Sequence, residues 1–387
     1  VILFKSGQQN ASNDATLLSL PKSLTNLSLH PSPKGQPRGT VDNRKLMQGS
    51  PIKDTVEFFA QLVRLAHRKV PAENHASFVD TIADLSGQSD DVFMECLEAE
   101  FKTSPELSVV MRQASPAVLV LKNVARPILK PITEIASPLI RFGRRLDDKA
   151  IELIGSDKRN KQTARLKEKL EHNINALLNP KAVPTELCVL AYRSVECLKQ
   201  NHQKLVDSSS LALASWAVGA ILFLRFLVPM LTTFIASVEA QKGCVLMGRF
   251  LMKMACHSEF QQNPGGLLNE VLVSSYDRYD QYCAEVVRLG GEHYSHRSVF
   301  GPTHAPNSHW LENDALVKLG EFLKEAATAA SSDPPTAAAA EGALEFEQTN
   351  DWKNSVTFLS ARVEESIEPP SSAATFSSSP PQGSLSD

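Results

Sequence analysis

Nothing in this chain of 387 residues supplies a ready-made nucleotide or metal motif. It has no GxGxxG, no GxxxxGK[ST], no HExxH and no Ser/His/Asp set at a recognisable spacing. The usual sequence grounds for nucleotide binding, zinc hydrolysis or a nucleophilic triad are therefore missing. Its six cysteines, Cys96, Cys188, Cys197, Cys244, Cys256 and Cys283, include no CxxC pair. Wide spacing within helical patterns fits reduced thiols better than a disulfide framework or a zinc site. His293, His296 and His304 fall in a stretch read as a Gly, Ser and Pro loop, with no acidic or cysteine partner to complete a metal site. No cofactor and no metal are expected. A net charge of −3 removes the basic excess of a nucleic-acid binder. Alternating strand patterns are scarce.

What the chain does have is a long apolar run broken by one charge. Leu211 to Leu224 carries none, Arg225 interrupts, and Phe226 to Val238 is again uncharged. The run is long enough to cross a bilayer, which takes roughly 20 residues. Against that, Arg225 falls near its middle, where insertion costs about 2.5 to 3.5 kcal/mol. Pro229 follows, and the flanking Asp207, Glu239 and Lys242 give no charge asymmetry. The run is read as the buried central helix of a soluble protein, with no transmembrane segment. Arg225 then requires fixed acceptors, because a buried charge that loses its partner costs about 3 kcal/mol or more. The sequence starts at Val1 without methionine and is expected to be a piece of a longer protein, so a missing signal peptide excludes little.

The ends differ from the middle. Residues 1–50 are rich in Ser, Asn, Gln, Pro and Gly, and residues 331–387 are Ala, Ser and Pro tracts. Such segments bury too little apolar surface to offset their ordering entropy, so both are expected to be mostly disordered, Leu344 to Glu365 excepted. Residues 54–326 remain for one large helical domain. Asp54 can cap a helix with the face Val56, Phe59, Leu62 and Val63, and Asp91 one with Phe93, Leu97 and Phe101. Leu166, Leu170, Ile174 and Leu177 repeat at helical spacing, Pro184 suits a first turn, and Val271 to Val287 continues the pattern. From Arg141 to Lys169 ten Lys or Arg face five Asp or Glu. A solvated helix pair explains that excess; a docking patch for an acidic protein or lipid surface is the alternative.

Several short motifs recur in a meaningful order. Glu98-Ala99-Glu100-Phe101 precedes Val110-Met111-Arg112-Gln113-Ala114-Ser115. Then come Ala125-Arg126-Pro127-Ile128-Leu129 and Val183-Pro184-Thr185-Glu186-Leu187. Phe223-Leu224-Arg225 follows, with Pro229 four residues beyond the arginine, and the helix-like Phe250 to Phe260 closes the series. Together these resemble the Ras GTPase-activating domain family, over about residues 54–326. The resemblance implies an all-α fold with one large helical domain, flanked by the tails that composition marks as mostly disordered. It implies an activator that stimulates hydrolysis in a GTP-bound Ras-family small GTPase, working in the cytoplasm or recruited to a membrane surface. No nucleic-acid partner and no enzymatic activity of its own are implied.

The resemblance also assigns residues. Arg112 becomes the arginine finger, on a loop with Met111, Gln113, Ala114 and Ser115, where Ser115-Pro116 starts the next helix. Arg225 becomes the support that hydrogen-bonds that loop's main chain. Phe223 and Pro229 shape the core, while Leu224, Cys256 and Asn263 fall at positions that face the GTPase. The chain departs from the family pattern at Val228, Met230, Cys256, Asn263 and at Gln113-Ala114. Those departures support an alternative, a scaffold of the same fold that binds a GTP-loaded GTPase without stimulating it. A helical scaffold unrelated to GTPases is the third reading.

Overall fold

The computed structural model describes residues 40–52, 54–111, 114–155, 160–201, 209–233, 238–261, 266–299, 310–331 and 350–367. Those residues are nearly all helical, as expected, apart from one two-stranded ribbon. They divide into two compact units. One falls within Phe59–Asn307, the other within Pro33–Phe58 and Ser308–Asp387.

The larger unit begins in α2 (Thr55–Lys69) and continues through α3 (His75–Ser86) and α4 (Ser89–Thr103). Asp54 does cap α2, accepting from Glu57 N–H at 2.9 Å. Asp91 does not cap α4. That helix starts two residues earlier, and Asp91 instead receives Arg193 Nη2 at 2.7 Å. After a loop, α5 (Pro116–Ala125) is apolar on almost every side, with Ala117 to Leu121 all buried, which marks a helix at the centre of a core. Next are α6 (Leu129–Gly143), α7 (Asp148–Gly155), α8 (Lys161–Leu177) and α9 (Thr185–Asn201). The predicted face of α8 is inward: Leu170, Ile174 and Leu177 are buried. Exposed Arg141, Arg144, Arg145, Lys161, Arg165 and Lys169 account for much of the basic excess.

The apolar run is one continuous rod in three pieces: α10 (Ser210–Val218), a π-helical segment (Gly219–Leu227) and α11 (Val228–Thr233). It is long and apolar enough to cross a membrane, yet 72% of its most apolar stretch is buried inside the protein. Then come α12 (Val238–Ala255) and the long α13 (Gly266–Val299). His293 and His296 belong to α13 rather than to a loop, because its helical pattern runs on past Val287; His304 lies outside the described residues. Two backbone crossings tighten the packing. A Cβ on Gly290 would collide with the carbonyl oxygen of Cys188 where α13 meets α9, and one on Gly243 with that of Gly143 where α12 meets α6.

The second unit is built from both flanks of the sequence. Strand β1 (Thr40–Asp42) pairs antiparallel with β2 (Trp310–Glu312), Thr40 opposite Glu312. Helix α1 (Asn43–Met47) packs on α15 (Asn350–Ile367), which lies along α14 (Asn313–Ser331). Arg362 donates to the carbonyls of Lys45 at 2.6 Å and Leu46 at 3.5 Å, and the Phe58 and Trp352 rings stand 5.3 Å apart. Helix α15 falls largely in the Leu344 to Glu365 stretch that the composition-based expectation excepted from disorder, whereas the ordered β1 and α1 fall in the N-terminal stretch that it did not except. Trp352, Val356, Leu359 and Val363 recur at helical spacing and are all buried, enough apolar surface to order this part of the tail. The boundaries 54 and 326 accordingly do not coincide with those of either unit.

Candidate functional site

The loop between α4 and α5 is secured from several sides. Glu100, in the last turns of α4, accepts Met111 N–H on Oε1 at 2.6 Å and Ser115 Oγ–H on Oε2 at 2.7 Å. Met111 is 1% exposed and left-handed, with φ 58°, a conformation that costs about 1–2 kcal/mol without glycine. Ser115 caps α5, its Oγ accepting from Val118 N–H at 3.4 Å, and Pro116 occupies the first turn as the sequence suggests. His67 of α2 donates from Nε2 to the Ala114 carbonyl at 2.7 Å, its ring 4.7 Å from that of His75. On the other side, Trp216 Nε1 donates to the Leu107 carbonyl at 3.1 Å and its ring packs 5.6 Å from Phe101. Arg112 and Gln113 lie outside the described residues.

The Phe-Leu-Arg motif lies within the π-helical segment. Phe223 is fully buried, edge-on to Tyr279 at 5.1 Å and 89°. Tyr279 Oη donates to the Ser215 carbonyl at 3.2 Å, beside Gly219, where any Cβ would stand 2.8 Å from that hydroxyl. A side chain bonded into the carbonyl ladder at this point, with glycine giving it room, accompanies the change from α to π pitch. Leu224 and Arg225 are half-buried, although Arg225 Nε is shielded from solvent. The expectation of a deeply buried arginine is thus met only at its stem end. Burial, and then the positive charge of Arg225, lower the Lys122 pKa. A second cation on α5 therefore stands within electrostatic reach of the motif arginine. Met230 is buried and receives a Thr133 Oγ1 contact at 3.8 Å, while Val228 is half-buried.

A cleft of about 240 Å³ opens between these elements, lined by Leu107, Val110, Trp216, Leu224, Cys256 and His257 among others. Asp280 of α13 forms its polar end. One carboxylate oxygen, Oδ1, receives Ser215 Oγ–H at 2.5 Å and His257 Nε2 at 3.0 Å. Burial alone would raise the Asp280 pKa; the hydrogen bonds from His257 and Ser215 outweigh it and hold the carboxyl below its usual value. Because Ser215 bonds the carboxylate and not the imidazole, the trio lacks the order of a nucleophilic triad.

His257 reaches this position through the end of α12. Ser258 N–H bonds the Lys253 carbonyl and His257 N–H that of Met254, a Schellman ending with His257 at the left-handed position, φ 47°. Past it, the Asn269 side chain pairs with both the N–H (2.8 Å) and the carbonyl (3.0 Å) of Phe260, tying the following loop to α13. Asn263 lies outside the described residues.

Of the residues singled out by sequence, Leu224 and Cys256 meet in one cleft with the stem of the loop that carries Arg112. Met111, Ala114 and Ser115 all participate in holding that loop. Sequence reasoning did not identify Glu100, His67, Trp216, Ser215, His257 or Asp280 as site residues. A histidine where a helix ending calls for glycine was a readable signal for His257, and Glu100 stood in a quoted motif without an assigned role; the others had none. Among the described residues no group of three or more His, Cys, Asp or Glu could hold a metal ion. No protein-family model matches the chain, and no curated protein is significantly similar to it.

Proposed function

We propose that the chain is an activator of GTP hydrolysis by a Ras-type small GTPase, with Arg112 supplied in trans as the arginine finger and Arg225 supporting its loop. One observation carries the reading: the stem of the loop bearing Arg112, through Leu107 and Val110, shares a cleft with Leu224 and Cys256, more than a hundred residues away in sequence. Three of the motifs that resemble the family, those containing Val110, Leu224 and Cys256, therefore contribute to one cleft.

The chemistry asks for a cation on a loop positioned in advance. Negative charge shifts toward the β–γ bridge as the terminal phosphoryl group departs, and an arginine offered to it accelerates hydrolysis roughly 10³- to 10⁵-fold. Its planar fork can serve a phosphate oxygen and a second acceptor together. Met111 and Ser115, locked to Glu100 at either side of Arg112-Gln113, are the kind of anchorage this requires. Leu224 and Trp216 provide an apolar wall for the GTPase surface.

The test is single-turnover hydrolysis by a panel of GTP-loaded Ras-type GTPases with the full chain. Stimulation by the native chain, and its loss by about 10³-fold in Arg112→Lys with binding retained, is the expected result. Full activity in Arg112→Lys would remove the finger assignment. Cys256, in place of an amide side chain at the cleft, favours the second reading, a scaffold that binds without stimulating. GTP-dependent binding with unchanged hydrolysis across the panel would establish that reading instead.

A further inference from the structure

We infer that Glu100 is the positioning residue of the Arg112 loop, a two-armed latch whose state sets the hydrolysis step rather than the affinity for the GTPase. The inference rests on the function proposed above for its kinetic consequence, but the latch itself stands on geometry. A single carboxylate receives a backbone N–H from residue 111 and a side-chain hydroxyl from residue 115, at 2.6 and 2.7 Å. Both ends of the short stretch containing Arg112 and Gln113 are thus fixed to one planar group. Its own backbone is set in α4, whose Phe101 is buried against Trp216.

The two arms differ in what they can tolerate. The Met111 arm is a main-chain donor on a buried residue in the left-handed region, so only the acceptor can be changed by substitution, and losing it leaves an N–H in search of a partner. The Ser115 arm joins the latch to the cap of α5, so the same oxygen that orders the loop also fixes where the next helix begins. Ionised, the carboxylate is an acceptor at both oxygens, which both arms need; an amide retains one acceptor and turns the other into a donor. A serine hydroxyl can rotate to accept from that donor, whereas a backbone N–H cannot reverse. Glu100→Gln is therefore the mild variant, Ser115→Ala removes one arm, and Glu100→Ala removes both. Glu100 does not reach the GTPase-facing cleft lining, which is why binding should be spared.

The experiment has two independent readouts on the full chain. The first needs no GTPase: trypsin cleavage after Arg112, followed by mass spectrometry, with amide hydrogen exchange over residues 107–115. Cleavage and exchange should rise in the order native, Glu100→Gln, Ser115→Ala, Glu100→Ala, by at least about tenfold at the end of the series. Thermal melting of Glu100→Gln should match the native chain. The second is single-turnover hydrolysis with whichever Ras-type GTPase the native chain stimulates. The rate at saturation should fall in the same order while the Kd for the GTP-loaded GTPase changes less than about threefold. Unchanged local cleavage and exchange in Glu100→Ala would overturn the latch, as would an equal fall of rate and affinity. If the native chain stimulates no GTPase, the proposed function fails, and the cleavage and exchange series still decides the latch. Should Glu100→Ala not fold, Ser115→Ala and Glu100→Gln carry the same comparison.

Discussion

His257 shows how a single residue can be placed at a conformational cost for the contact it gains. Its backbone occupies the left-handed position that ends α12, where glycine is preferred, and its ring closes on Asp280 at 3.0 Å. Two substitutions separate these effects. His257→Ala keeps the backbone penalty and loses the contact, whereas His257→Gly loses the contact but relieves a penalty of about 1 kcal/mol. In equilibrium denaturation the glycine variant should be the more stable of the two by that amount. Asp280 adds a pH dependence whose sign is fixed by the direction of its shift. Its carboxyl is depressed in the folded chain, so its contribution is complete above the unfolded pKa, about 3.9, and lost as pH falls below it through the folded value. Asp280→Asn should flatten that acidic limb in a stability-versus-pH series. At this scale the sequence was only partly readable. Arg225 announced a need for partners because charge inside an apolar run is visible in one dimension. Glu100 stood in a motif already quoted, yet its two hydrogen bonds span 11 and 15 residues around a loop, and no local pattern signals that closure.

Helices were the most legible elements, since buried faces at 3.6-residue spacing are written directly into α2, α4 and α8. What escaped was pitch. Within Gly219–Leu227 the chain turns less per residue than the roughly 100° of an α-helix, so a face assigned by α spacing drifts out of register. The cleft-lining positions Ser215, Trp216, Gly219, Ala220 and Leu224 nevertheless keep to i, i+4 spacing across the change of pitch. The contact that accompanies the change of pitch, the Tyr279 hydroxyl at the Ser215 carbonyl, comes from α13 and cannot be read from the run itself. The contact between α9 and α13 likewise depends on a partner distant in sequence. Gly290→Ala would drive a methyl group into the Cys188 carbonyl, a backbone atom that cannot swing aside. The expected cost is about 1–3 kcal/mol in chemical denaturation, as for other overpacked sites. A neutral result would mean that α13 can slide along α9.

Across the whole molecule, the thiols divide into one that is accessible and five that are buried. Burial pushes Cys96 and Cys188 up to about 12 and raises Cys283 further, so these remain protonated thiols far above neutral pH. Under native conditions at pH 8, iodoacetamide should label Cys256 first, with the other five following only on unfolding; peptide mass spectrometry gives the order. Early labelling of Cys96 or Cys283 would contradict the packing of the core. The two-unit organisation was the least legible feature, because composition describes each flank separately and cannot register that they fold onto each other. Pairing of β1 with β2 joins positions roughly 270 residues apart, with the larger unit encoded between them. During synthesis at about 5–20 residues per second, β1 leaves the ribosome on the order of 10 to 60 s before its partner strand exists. The larger unit therefore has time to fold first, while the earliest part of the second waits unpaired, open to chaperones and to the strands of neighbouring nascent chains.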